Sequence, residues 1–318
     1  METDNTLPGP ESALDIFGSQ SALARSGVGA DLALDLTVAM TVAFGLIFIG
    51  VMALVWFAWR RDQPAGSWWV WSGGILLPLV SIIAVMAGST AVLVASTRPA
   101  PDAIKIDVTG YQFWWDVVYD PNGAAVRDAN ELVLPAGRPV TLRLRASDVI
   151  HSFWIPSIAG KMDMIPGRTN TLTVTARETG RFRGQCAEFC GLSHPRMAFE
   201  VVVMEPGAFD AWLAGIEGEA RDAARPELLA GRDVFVDYGC PACHEIRGVA
   251  EGGRLGPDLT RVGARGSLGA GMWRMNQGNL AGWIADVGDM KPGAKMPSYN
   301  HLSGPELRAV SAYLASLK

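Results

Sequence analysis

The chain has little cysteine, little histidine and no excess of positive charge. Its 318 residues include four cysteines, four histidines, 27 lysines and arginines and 32 acids, for a net charge of −5. With no basic field to hold a polyanion, nucleic acid is excluded as a partner, and the acidic excess suits a basic protein instead. Charged residues make up only 19% against 49% hydrophobic, with a mean hydropathy of +0.19. That is too apolar for a disordered protein and on the apolar side for a freely soluble one. The first 30 residues lack a basic segment followed by an apolar one, so the sequence as it stands carries no cleavable signal. Either this tail is translocated with the first helix or a signal precedes it. The length leaves room for two or three domains.

Charge is missing altogether from two runs. Leu36 to Trp59 is 24 residues long and Ser67 to Thr97 is 31. At about 1.5 Å per residue the shorter helix spans roughly 36 Å, enough for a hydrocarbon core of about 30 Å. Arg60 and Arg61 lie in the short connection, whereas the first 35 residues hold six acids and only Arg25. The positive-inside rule therefore puts the connection in the cytoplasm and both termini outside. Trp56, Trp59, Trp68, Trp69 and Trp71 flank the connection, where indole rings favour the headgroup layer. Ser67 to Thr97 also lacks an acid, so no proton-uptake group is assigned to it.

From Ala103 the period changes to two. Ile104, Ile106 and Val108 alternate with polar residues, as do Val140, Leu142 and Leu144, then Leu172, Val174 and Ala176, then Phe199, Val201 and Val203. Turn signals at Pro121-Asn122-Gly123, Pro135-Ala136-Gly137 and Pro166-Gly167 separate them, which predicts a small antiparallel sandwich or barrel. Cys186, Cys190, His194 and Met197 stand within twelve positions at its end. This soft set suits copper; zinc would want four Cys or His ligands. Two thiolates can bridge two copper ions, each of which then needs an imidazole, and His151 in His151-Ser152-Phe153-Trp154 is the natural second source. A Cys186–Cys190 disulfide is the alternative.

After Pro206 the composition shifts. Ala208 to Arg225 is rich in Ala, Glu, Asp and Arg and reads as a helical linker. Cys240-Pro241-Ala242-Cys243-His244 has the spacing for two thioether bonds to a haem, with the imidazole on the iron. The rival is a Cys-x-x-Cys redox motif, but Gly256-Pro257-Asp258-Leu259 follows as in c-type cytochromes. Lys291-Pro292-Gly293-Ala294-Lys295-Met296-Pro297 resembles the loop that places a methionine on the iron, making Met296 the sixth ligand ahead of Met290 and His301. Gly248 to Gly271 reads as loop. Ser303 and Glu306 form a capping box ahead of a last helix striped by Leu307, Val310, Leu314 and Leu317, which is expected to cross an earlier helix around Leu228 to Phe235.

The run Cys186-Ala187-Glu188-Phe189-Cys190-Gly191-Leu192-Ser193-His194-Pro195-Arg196-Met197, with His151 to Pro156 upstream and two spanning helices before it, closely resembles subunit II of haem-copper cytochrome c oxidases. The haem motif behind it points to the caa3 type, with a fused cytochrome c. The resemblance implies a multidomain membrane protein. Its parts are an outer tail 1–35, a two-helix transmembrane hairpin 36–97, an all-β cupredoxin domain 98–207, a linker 208–226 and an all-α cytochrome c domain 227–318.

It also implies a dinuclear copper centre (CuA). Cys186 and Cys190 would bridge the ions, His151 and His194 would cap them, Met197 would be axial and Glu188 would give its main-chain carbonyl. The Glu188 carboxylate would face a magnesium ion shared with another chain. Haem c would be held by Cys240, Cys243, His244 and Met296. Implied partners are the oxidase's subunit I and its other subunits, a cytochrome c or similar donor, and the lipid of a bacterial inner membrane, with both cofactor domains on the outer face. The oxygen-reducing site would lie in another chain. One departure stands out: the family commonly has Trp at Phe113. Phe113, Trp114 and Trp115 are a candidate electron path, with core packing as the ordinary alternative. The equivalent subunit of a copper-containing nitric oxide reductase and a membrane-tethered electron shuttle are the competing functions.

Overall fold

The computed structural model describes residues 20–60, 66–119, 125–220 and 226–318. The turn expected at Pro121-Asn122-Gly123, positions 61–65 of the helix connection, the first nineteen residues of the tail and positions 221–225 of the linker lie outside them.

Helix α1 (Val28–Trp59) starts before the uncharged run does. Its early acids do not break it, because they are paired: Asp31 meets Arg25 and Arg177, and Asp35 meets Arg25 at 2.7 Å. The second span is continuous from Ser67 to Thr97, with α2 (Ser67–Trp71) joined by one π turn at Ser72–Leu76 to α3 (Leu77–Thr97). Both spans are long and apolar enough to cross a membrane. They leave Trp56, Trp59, Trp68, Trp69 and Trp71 exposed at one end. The other end is stitched to the β domain. Val28 N–H donates to Thr175 O, Ala30 N–H to Ile158 O and Thr173 Oγ1 to Arg98 O.

The β domain is a two-sheet sandwich built from β1 (Ile104–Tyr111), β2 (Trp114–Tyr119), β3 (Val126–Ala129), β4 (Glu131–Pro135), β5 (Val140–Ala146), β6 (His151–Trp154), β7 (Met162–Met164), β8 (Asn170–Val174), β9 (Gly180–Cys186) and β10 (Ala198–Met204). One sheet has the order β3-β2-β1-β5-β8 and the other β4-β10-β9-β6-β7. The β1/β5 and β4/β10 pairs are parallel, so the sandwich is mixed rather than purely antiparallel. The alternating residues read from the sequence point inward: Ile106, Val108, Leu142, Leu144, Leu172, Val174, Phe199 and Val201 are all buried in one core. Helix α4 (Pro206–Ile216) belongs to this domain, since Phe209, Leu213 and Ile216 join the same core. The first half of the stretch read as a linker is therefore part of the sandwich.

The last domain has its own core. Helix α5 (Pro226–Asp237), α6 (Gln277–Ala285), the short α7 (Val287–Met290) and α8 (Gly304–Ser316) enclose Phe235, Leu280, Ile284, Val310, Tyr313 and Leu314. The capping box of α8 is present, with Ser303 and Glu306 bonded reciprocally. A two-residue ladder, β11 (Ser267–Leu268) with β12 (Trp273–Arg274), falls at the end of the glycine-rich loop.

Candidate metal centres

The first site forms where β6 begins and where β9 runs into the loop before β10. The Cys186 and Cys190 sulfurs lie 3.8 Å apart, too far for a disulfide bond of about 2.05 Å. Since a metal–sulfur bond is about 2.3 Å, sulfurs sharing one ion lie at most about 4.6 Å apart, and this pair meets that limit. Each sulfur has one imidazole beside it: His151 Nδ1 is 3.9 Å from Cys186 Sγ, and His194 Nδ1 is 3.6 Å from Cys190 Sγ. Met197 Sδ is 3.7 Å from Cys190 Sγ, and the Glu188 carbonyl is 3.2 Å from Cys186 Sγ. Three of these residues, His151, Cys186 and Cys190, are buried with ligand atoms within 4.8 Å of one another. Sulfur and imidazole donors in this ratio fit copper and not magnesium or calcium.

The thiols share their protons. The hydrogen bond between them pushes Cys186 down and Cys190 up, and burial adds to the rise at Cys190. Asp148, which the sequence did not single out, takes a hydrogen bond at 2.9 Å with His151 Nε2 and leaves Nδ1 turned to the sulfur. Burial of His151 opposes its charge, but Cys186 and Asp148 outweigh that and hold it above its ordinary value. Gln112, also unmarked in sequence, donates to Cys190 O at 2.6 Å. A Cβ at Gly110 would lie 3.0 Å from the His151 ring, so glycine is what lets β1 pass so close.

Trp115 is buried and its ring stands 6.2 Å from His151, 5.1 Å from Phe199 and 5.9 Å from Phe153. Trp114 instead stacks on Tyr111 at 4.5 Å. Phe113 is buried beside Gly191 and Gly293. The Glu188 carboxylate is half-exposed, 4.0 Å from Lys161.

The second site is a mostly apolar cavity lined by Phe235, Cys240, His244, Leu259, Met296 and Tyr299, among others. His244 and Met296 both border it, whereas Met290 and His301 do not. Met290 is held through its carbonyl, and His301 lies between Tyr238 and Tyr299 on the surface. His244 Nδ1 is tied to Pro257 O at 2.8 Å. With Nδ1 as donor, Nε2 is left with its lone pair free for a metal, and burial holds the imidazole below its ordinary value, which favours the neutral form that metal binding requires. The cavity, its imidazole, its thioether and the nearby cysteines fit a covalently attached haem.

The loop carrying Met296 lies against the loop carrying His194 and Met197. Ser193 Oγ donates to Pro292 O at 2.7 Å and Arg196 Nη1 to Met290 O at 2.6 Å. Lys291, 2% exposed, sends its ammonium to Phe113 O and Gly269 O at 2.7 Å each. Burial pushes this lysine down to about 7. No periodic signal marks a lysine that turns inward, since lysine is ordinarily exposed.

A family model for the cytochrome c oxidase subunit II periplasmic domain matches residues 120–205, and one for cytochrome c matches 228–318. Cytochrome c oxidase subunit 2 of Alkalihalophilus pseudofirmus is 37% identical over 244 residues, 76% of this chain and 70% of that one. The subunit 2 of Bacillus subtilis is 33% identical over 77% of this chain and 72% of its own. The crystal structure of the periplasmic domain of subunit II from Bradyrhizobium japonicum is 31% identical over 37% of this chain and 96% of that one, with a TM-score of 0.35. The chain belongs to the cytochrome c oxidase subunit 2 family, in the form that carries a cytochrome c domain behind its copper domain.

Proposed function

We propose that this membrane-anchored subunit collects electrons on its cytochrome domain and delivers them, by way of a dinuclear copper site, to an oxygen-reducing partner chain. The observation that carries the reading is the convergence of two thiols, two imidazole Nδ1 atoms, a thioether and a main-chain carbonyl around a largely buried pair of sulfurs. Cys186 and Cys190 would bridge two copper ions, with His151, His194, Met197 and the Glu188 carbonyl as the remaining donors. Cys240 and Cys243 would hold a haem by thioethers, with His244 and Met296 on its iron. When bound, these groups supply two one-electron carriers.

The protein's own part is to fix them. Asp148 orients His151, Pro257 O orients His244, and the packed sandwich keeps water from the thiolates. A low dielectric around fixed donors limits the rearrangement that accompanies each change of charge. The Glu188 carboxylate, exposed beside Lys161, is offered to a magnesium ion shared with the partner. Buried Trp115, beside His151, and Phe113, beneath the cytochrome loop, line the route between the domains. The two spans carry both cofactor domains on the outer face of a bacterial inner membrane, against the oxidase's subunit I and its other subunits, with a cytochrome c or similar protein as donor.

Metal analysis of the purified complex, corrected for the partner's own metals, is expected to give two coppers per c-type haem in this chain. The oxidised protein is expected to give the electron-spin signal of one unpaired electron shared by two coppers. One copper per haem, or the signal of an isolated cupric ion, would overturn the reading.

A further inference from the structure

The cytochrome-domain stretch 290–295 touches three separate segments of the copper site, through Met290, Lys291, Pro292, Gly293 and Lys295. Arg196 and Ser193, on either side of His194, hold the Met290 and Pro292 carbonyls. Lys295 stands 3.4 Å from Asp148, the carboxylate that orients His151. Between these contacts Lys291 is buried and donates to Phe113 O in the copper domain and to Gly269 O in its own. The backbone at Gly293 comes so close that a Cβ there would lie 3.4 Å from Phe113 and from Leu192.

A buried ammonium held only by carbonyls is a poor source of stability, because its lost hydration is only partly replaced. An unbranched apolar side chain of the same length would fill the space without burying a charge, though it would leave the two carbonyls without this donor. What the lysine adds is direction, since two short N–H bonds accept one relative placement of the loops and reject its neighbours. We propose that Lys291 is a positioning residue for electron transfer, pinning the Met296 loop on the face of the copper site at Phe113 in one fixed geometry. The inference rests on the copper and haem ligands assigned above. Tunnelling rates fall exponentially with separation, so a small loosening of this contact is enough to slow transfer while both metal sites stay intact.

The test is Lys291→Met, with Lys291→Arg as the conservative variant, in the complete oxidase with both cofactors. After rapid reduction of the cytochrome domain, electron arrival at copper is expected to slow at least tenfold in Lys291→Met and to recover in part in Lys291→Arg. Deuterium uptake by amides around 112–114 and 290–294 is expected to rise. The near-infrared band of sulfur–iron ligation and the copper electron-spin signal are expected to stay as in the wild type. An unchanged rate with unchanged amide exchange overturns the proposal. So does loss of either spectroscopic signature, because Lys291 would then be needed to build a site rather than to couple two.

Ser193→Ala removes the neighbouring contact to Pro292 and keeps the question answerable if Lys291→Met does not assemble. It should slow transfer about threefold with the same rise in exchange, and no slowing would count against the clasp. If the wild type itself lacks the near-infrared band, it is the Met296 assignment that fails, a separate result.

Discussion

Gly256 stands where a Cβ would come within 2.5 Å of the His244 ring. The imidazole is packed against that backbone while Pro257 O holds Nδ1. An added methyl must push the ring out of the cavity or break the hydrogen bond, and overpacking of this kind costs about 1–3 kcal/mol. Gly256→Ala is therefore expected to lower the haem content to less than half of the wild type while copper stays at its wild-type level. The check is haem quantified as its pyridine complex beside metal analysis of the same sample; full haem with an unchanged spectrum would show that the ring has room. At this scale the candidate donors were legible, because Cys240-x-x-Cys243-His244 and Cys186-x3-Cys190-x3-His194 are local spacings of the kind that haem attachment and copper binding call for. Asp148, Gln112 and Lys291 were not. Each acts through a partner chosen by the fold, and nothing in an isolated Asp, Gln or Lys tells which way it turns.

The strands were legible wherever one face met the core and the other met water. In β10 the alternation Phe199, Val201, Val203 is real, but Ala198, Glu200 and Val202 on the opposite face are buried as well. The cytochrome domain covers Ala198 and Glu200 on that face, with Ala198 N–H donating to Ala270 O at 3.0 Å and the Gly266 backbone against the Glu200 carboxylate. A single strand's sequence carries no sign of a neighbour supplied from seventy positions later. Similarly, α1 runs back to Val28 through two acids that its own charge pattern would have excluded, because their partners Arg25 and Arg177 are outside the helix. Caps are the opposite case, fixed by residues three apart. Ser303 Oγ accepts from Glu306 N–H, Glu306 bonds back to Ser303, and Tyr238 Oη donates to the same carboxylate at 2.9 Å. Ser303→Ala is expected to cost about 1 kcal/mol, which lowers the joint melting temperature of the two outer domains by about 2–4 °C. Differential scanning calorimetry would detect it; a shift below one degree would mean that the cap is redundant with the Tyr238 contact.

The division into hairpin, sandwich and cytochrome domain follows from shifts in period and composition, but the way the two outer domains lock together does not, because it is made of charges that a sequence reading leaves in solvent. Asp128 on β3 is 3% exposed and accepts from Arg265 of the cytochrome domain, from Nε at 2.8 Å and Nη2 at 2.6 Å, with Arg261 Nη1 at 3.4 Å. Next to it Arg127 pairs with Asp116 at 2.8 Å and reaches Glu245 at 3.5 Å across the same boundary. Removing one member of such a buried pair strands the other charge and costs about 3–5 kcal/mol. Asp128→Ala should therefore split a single joint unfolding transition of the two outer domains into two, with the cytochrome domain released first. Replacing both partners, as in Asp128→Ala with Arg265→Met, should bring the two transitions back together in part, because no orphaned charge remains. Raising the salt from 0.1 M to 1 M should leave the wild-type transition joined, since buried pairs are screened far less than exposed ones. Calorimetry of the three proteins decides the matter. A single transition at the wild-type temperature in Asp128→Ala would mean that the loop clasp around Lys291, and not this charged face, joins the domains.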